Sequence, residues 1–253
     1  MLLIADKGTA VIATALHCGH ELRPEVASLM ALDEAQRLRE EDPFTDSMAN
    51  IGTSCMIAVQ SRFEVDLNRP RDQAVYLEPA QAWGLDVWQA PPPFELAEES
   101  RRIYDSCYDS ARELLDLAVA RHGAFVVFDI HSYNHRRDGA GSSLADPATD
   151  PEINLGTESV DRERFGGVVD GFISSLTHAG YDIRPNVKFR GGNFVRWINA
   201  TYPGVGCGLA IEFKKTFMDE WTGQPDLDAI ERARRALASA AGAVVPLMGG
   251  DGR

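Results

Sequence analysis

The sequence predicts an α/β domain built on a mixed, mostly parallel sheet flanked by helices. Three observations predict it. Short apolar stretches alternate with longer amphipathic ones, as strands alternating with helices do. The run "AFVVFDI" (124–130) is apolar as far as its acid, the pattern of a strand buried on both faces of a parallel sheet. No repeat, low-complexity tract or long linker divides residues 1–253, and a chain of that length can bury a substantial core. One domain spanning the whole chain is therefore expected.

The elements follow in order. Residues 10–16, "AVIATAL", read as a buried strand ending at the Cys18-Gly19 turn. Residues 24–40, "PEVASLMALDEAQRLRE", read as a helix with an acidic end that Pro43 stops. "CMIAVQS" (55–61) is a second strand. A long amphipathic helix covers 94–123, with Gly123 as its C-terminal stop. "AFVVFDI" is the third strand, and 162–180 a helix weakened by internal glycines. "GLAIEF" (208–213) is a fourth strand, and a helix over 227–247 closes the pattern.

Composition narrows the function classes. A net charge of −13 repels nucleic-acid phosphates unless a basic face is segregated, and no basic run exists. An anionic small molecule needs a local cluster of Arg or Lys working against that global field. No apolar run is long enough to span a bilayer, so neither nucleic acid nor membrane is an expected partner; oligomeric state is not legible. The opening "MLLIADKG" is too broken by charge for a signal peptide. Cys18, Cys55, Cys107 and Cys207 show no CxxC spacing, which points to free thiols and a cytoplasmic location.

In sheets of this kind ligands gather beyond the carboxyl ends of the strands. That rule selects His17 after the first strand, Arg62 after the second, His131 after the third, and Glu212 in the last. Two histidines and a carboxylate leave zinc an open position for water, the arrangement of catalytic zinc sites. Either histidine alone reads first as a hydrogen-bonded strand end, and it is the pair in equivalent positions that points to a metal. Asp129 lies on the same face as His131 and can orient it or cap the next turn. The third ligand has several candidates, namely His20 and Glu21 beside His17, or Glu40, Glu41, Asp42 and Asp46 in "REEDPFTD". The bland alternative for that acidic run is a solvated helix end. His135 reads as a surface or substrate-loop residue.

"SRFEVDLNRPRD" (61–72) brings Arg62, Asn68 and Arg69 together. Guanidinium forks match carboxylates and an amide gives oriented hydrogen bonds, so the segment suits an anionic substrate. Asp66 and Asp72 could instead pair the arginines structurally. Glu212 is a lone acid in an apolar strand, costly unless paired or beside a metal, and a natural general base with a raised pKa. Its alternative is an outward residue of an edge strand, beside Lys214 and Lys215. In "KFRGGNFVRWIN" (188–199) a glycine pair allows close backbone approach to a ligand, with Asn193 and Arg196 flanking it as substrate contacts, or makes an ordinary tight turn.

Taken in order, "HCGHELRP", "EEDPFTD", "SRFEVDLNR", "DIHSYN", "GGN" and "AIEFKKTFMDE" resemble the N-formylglutamate amidohydrolase family, over about residues 10–220. The resemblance implies a zinc-carboxypeptidase-like mixed-sheet fold, with zinc held by His17, His131 and a third ligand. The sequence departs from the carboxypeptidase pattern at position 20, which is His where they carry Glu. The acidic loop shared with the nearer family makes Asp42 the preferred third ligand, ahead of His20, Glu21 and Glu41. By the same resemblance Glu212 is the general base, Arg62 polarises the carbonyl, and Asn68 and Arg69 hold the substrate. The implied reaction is hydrolysis of an N-formyl or other short N-acyl amino acid or related small carboxylate. The rivals are a carboxypeptidase- or aspartoacylase-like hydrolase of another amide, and a non-catalytic anion binder that His20 keeps open.

Overall fold

The structure, a computed structural model, describes residues 1–143 and 145–249. Its strands are β1 (Leu2–Ala5), β2 (Val11–Ala15), β3 (Ser54–Ala58), β4 (Phe125–Tyr133), β5 (Ile153–Gly156), β6 (Ile183–Pro185) and β7 (Gly206–Lys214). They form one seven-stranded sheet in the order β1-β3-β2-β4-β7-β5-β6. β3, β2, β4 and β7 run parallel, as does β5 with β6; β1 and β5 pair antiparallel to their neighbours β3 and β7. The four predicted strands are the four parallel strands at the centre. Every residue of β4 is buried, which is why it reads as a continuous apolar run. The unpredicted strands β1, β5 and β6 have only four, four and three residues, too few for a period-2 signal.

The helices are α1 (Pro24–Ala27), α2 (Glu34–Glu40), α3 (Thr45–Ala49), α4 (Phe94–His122), α5 (Arg162–His178), α6 (Asn193–Thr201) and α7 (Leu227–Val244). The single helix expected over 24–40 is broken in two. Met30 and Leu32 turn inward to a satellite cluster with Val26, Phe63, Tyr76 and Val87, and Asp33 restarts the helix with a capping box to Gln36. Long α4 ends at Gly123, whose φ of 75° is left-handed. α6 starts immediately after the glycine pair, where an ordinary tight turn is one of the readings.

Alternation along the central strands separates two cores. Val126, Phe128, Ile130, Leu209 and Ile211 pack toward α3, α5 and α7. Phe125 and Val127 pack the other way, toward α4 and α6. Asp129 and His131 share the parity of Phe125 and Val127, so they face the α4 and α6 side. Glu212 lies opposite His131 in the β4–β7 register and takes the same side. β7 is flanked by β4 and β5, so the edge-strand reading of Glu212 does not hold. Among the described residues no helix is long and apolar enough to cross a membrane.

Candidate metal centre and active site

The carboxyl ends of β2, β4 and β7 open into a cavity of about 640 Å³. His17, Asp42 and His131 meet at its floor, with one ligand atom from each lying within 4.8 Å of the others. All three are buried. Nδ1 of His17 is 3.4 Å and Nδ1 of His131 3.1 Å from the same Asp42 Oδ2. The opposite nitrogens face other carboxylates: His17 Nε2 is 2.8 Å from Asp66 Oδ1, and His131 Nε2 3.0 Å from Asp129 Oδ2. With both imidazoles neutral and each Nε2–H given to its carboxylate, both Nδ1 lone pairs would turn toward one carboxylate oxygen. Carboxylate–histidine pairs of this kind orient metal ligands.

That donor set fits a divalent cation. Two lone pairs and an anionic oxygen converge in a buried space, an arrangement that repels itself unless positive charge sits among them. The electrostatics agree. Burial opposes ionisation of Asp42, but hydrogen bonds from His131 and His17 outweigh it and hold the carboxyl well below the usual range. Burial likewise opposes a charged His131, yet Asp129, then Asp42 and Glu212, raise it well above the ordinary imidazole value. The surroundings favour positive charge at this point, which protonated imidazole supplies in the free chain and a bound cation would supply in its place.

The supporting residues are themselves held. Asp129 accepts from Thr14 Oγ1 at 2.6 Å, and Asp42 Oδ1 from Ser132 Oγ at 3.0 Å. Asp66 accepts from Arg62 Nη2 at 2.9 Å, from the Tyr76 hydroxyl and from the Asn68 amide nitrogen at 2.8 Å. Asp66 is thus both the arginine partner foreseen as an alternative and the residue that orients His17, a role the sequence reading missed. No local spacing signals it, because Asp66 is 49 positions from His17, whereas Asp129 is two from His131.

Glu212 lines the cavity beside His131. Burial pushes its carboxyl up to about 7, the balance of His131 and His17 favouring charge against Asp42 and Asp129 opposing it. Arg62 donates three of its five N–H groups, to Asp66, to the Tyr76 hydroxyl at 3.2 Å and to the Glu40 carbonyl at 3.3 Å, and two remain. Its guanidinium lies 4.8 Å over the Trp83 ring, and Trp83 holds a left-handed φ of 54° at the cavity mouth. Asn68 Nδ2 stands 3.3 Å from His131 Nε2. Arg69 and Arg196 line the mouth, and among the described residues their guanidinium groups hydrogen-bond the carbonyls of Gln81 and Gly191. Lysine and arginine outnumber acids along the whole wall, the local basic cluster an anionic ligand requires in this acidic chain.

Several expectations need correction. Asn193 does not line the cavity. Its side chain donates to the hydroxyls of Tyr104 and Tyr108 at 3.3 and 3.0 Å, while those hydroxyls donate to the carbonyls of Arg69 and Leu67. It braces the loop over residues 67–69 from behind. The glycine pair serves the same loop, because a Cβ on Gly192 would meet the Asn68 amide at 2.2 Å. The approach it permits is to Asn68, which accepts from Phe194 N at 2.9 Å.

The alternative third ligands lie elsewhere. His20 pairs with Glu41, and Glu41 also takes the Ser61 hydroxyl. Glu21 is exposed, with its backbone bridged to Gln60. His20, which kept the anion-binder reading open, has no place in the cluster. His135 is buried, not on the surface, and its backbone N–H donates to Glu220 Oε2 at 2.7 Å. Lys215, set aside as a marker of an exposed edge, is 1% exposed and donates to the carbonyls of Arg39 and Glu41. The four cysteines are free.

Comparison with known proteins concerns the family and the fold. The sequence pattern of the N-formylglutamate amidohydrolase family matches residues 9–218. Among curated proteins none matches significantly. The fold is similar to an N-formylglutamate amidohydrolase from Ralstonia eutropha JMP134, with TM-score 0.78, 18% identity and 98% of each chain covered. It is also similar to a gene product of Agrobacterium tumefaciens, with TM-score 0.63, 17% identity, and 94% of this chain and 95% of that one covered. A metallo-carboxypeptidase from Burkholderia cenocepacia overlaps at a TM-score of 0.38 and 17% identity, over 98% of this chain and 60% of that one.

Proposed function

The chain belongs to the N-formylglutamate amidohydrolase family, and on that premise we propose that it is a zinc-dependent hydrolase of short N-acyl amino acids or related small carboxylates, formyl first among the acyl groups. The observation that carries this is the convergence of His17, Asp42 and His131 at 4.8 Å with Glu212 on the neighbouring strand, in register with His131. His17 Nδ1, His131 Nδ1 and an Asp42 oxygen would hold the ion. Bound zinc supplies Lewis acidity, acidifying water toward ~7 and polarising a carbonyl. Imidazole and carboxylate donors suit it.

The chain's own groups do the rest. Glu212, with a carboxyl near 7, takes the proton of the attacking water and returns it to the leaving nitrogen, the work for which a base near neutrality is matched. The two uncommitted N–H groups of Arg62 stabilise the oxyanion of the tetrahedral intermediate, worth ~3 kcal/mol in comparable sites. Arg62 is already fixed by Asp66, Tyr76 and Trp83, so it needs no reorganisation to do so. Asn68, Arg69 and Arg196 hold the substrate carboxylate and fix its orientation. The four free thiols support a cytoplasmic site of action.

The test is a panel of N-formyl and N-acetyl amino acids assayed with the zinc-loaded and the chelator-treated protein, alongside metal analysis. Turnover that disappears with chelator and returns with zinc is expected. Absence of stoichiometric metal together with activity indifferent to chelator would remove the reading and favour an anion binder.

A further inference from the structure

We propose that Lys215 is a positioning residue for the metal centre. Its ammonium fixes where α2 ends and so aims Asp42 at the two histidines. The inference rests on reading His17, Asp42 and His131 as the metal ligands.

The last carbonyls of a helix have no partner within it and carry the negative end of its dipole. α2 ends at Glu40, and Glu41 leaves it in an extended conformation with ψ 175°. The three successive carbonyls at this exit each receive a cationic donor. Lys215 Nζ takes those of Arg39 and Glu41, both at 2.6 Å, and Arg62 Nη1 takes that of Glu40 at 3.3 Å. Asp42 is the next residue, and Pro43 disfavours helical backbone there. The Asp42 amide then donates to the His17 carbonyl at 2.9 Å, and its Oδ1 accepts from Ser132. What is left facing the histidines is Oδ2.

Lys215 acts on Asp42 only through the backbone, since no bond joins the two side chains among the described contacts. Burying an ammonium completely is costly unless its donors are paired, and a side chain that only filled space would not need the charge. Two of its three N–H groups are spent on this one turn. Lys215 also stands three residues beyond Glu212, just past the end of β7. The strand that presents the base therefore also tethers the loop that presents the third ligand, so the spacing between them is set by one rigid element.

The experiment is zinc titration of the full chain in competition with a chromogenic chelator, together with the visible spectrum of the cobalt-substituted protein. Lys215→Met is expected to bind zinc 10- to 100-fold more weakly, the usual cost of losing an outer-shell support, and to alter the cobalt absorption. Lys215→Arg, which keeps charge and donors, should recover part of both. A Lys215→Met protein that folds, binds zinc as tightly as the wild type and gives the same cobalt spectrum overturns the proposal. If Lys215→Met does not fold, Lys215→Gln carries the same comparison: intermediate affinity supports the proposal and unchanged affinity overturns it. A wild-type protein that takes up no stoichiometric metal sinks the ligand assignment first and this inference with it. Stoichiometric wild-type binding with an unmoved variant sinks this inference alone.

Discussion

The floor and the mouth of the cavity are built in opposite ways. On the floor, His17, Asp42 and His131 are 3%, 2% and 2% exposed, and each is held by neighbours that are held in turn. At the mouth, the Arg69 side chain is 37% and that of Arg190 67% exposed, and Arg196 is exposed with one hydrogen bond to a carbonyl. The floor is organised before any ligand arrives, which is where electrostatic preorganisation is worth most. The mouth holds its donors only loosely, by single bonds to the Gln81 and Gly191 carbonyls and to the exposed Glu158. On the proposed function, chemistry and recognition divide between a rigid region and an adaptable one, and substitutions in the two should fail differently.

The largest effect belongs to the floor. Glu212→Gln is expected to lower kcat by about 10²- to 10⁴-fold, the range for losing a general base, with metal content unchanged by elemental analysis. Full turnover in a zinc-loaded variant would break the division at its centre. Next comes Asp129→Asn, which keeps the shape but weakens the charge behind His131. It should reduce zinc affinity about 10- to 100-fold, measured by chelator competition. At the mouth, Arg69→Ala and Arg196→Ala should raise KM about tenfold while largely sparing kcat, because they remove binding shared by substrate and transition state. A loss of kcat equal to that of Glu212→Gln would show that the mouth takes part in chemistry.

The smallest effect is on pH-dependent stability of the metal-free protein. Between the ordinary carboxyl value of 4.5 and about 7, the folded chain keeps a proton on Glu212 that the unfolded chain has released. This contribution is fully present below 4.5 and lost as pH rises through about 7. Thermal unfolding should show Tm declining by several degrees across that window, and Glu212→Gln should flatten the slope.

The residues that could be read from sequence are those whose place is set by a strand. His17, His131 and Glu212 stand at or near the ends of buried parallel strands, where an apolar run followed by a polar group is visible in one dimension. Asp42 is the last of three consecutive acids, and what turns it inward is a lysine more than 170 positions away. The same nonlocality hid the roles of Asn193 and His135, whose partners are Tyr104, Tyr108 and Glu220. A basic doublet after a strand looks solvated until the loop that covers it is known. Short edge strands such as β6 carry too few residues to show a period. Helix α2 was legible, but its late start was not, because Met30 and Leu32 follow tertiary burial over helical propensity.

Gly192 carries a consequence for how this protein could decay in evolution. Any side chain there would displace Asn68, and with it the acceptor of the Phe194 amide and the neighbour of the His131 ring, yet His17, Asp42 and His131 would be untouched. On the proposed function, a descendant with alanine at this position would keep the three ligands for its metal while losing its grip on the substrate. One methyl group separates a catalyst from a metal-carrying relic, and metal content alone would not tell the two apart.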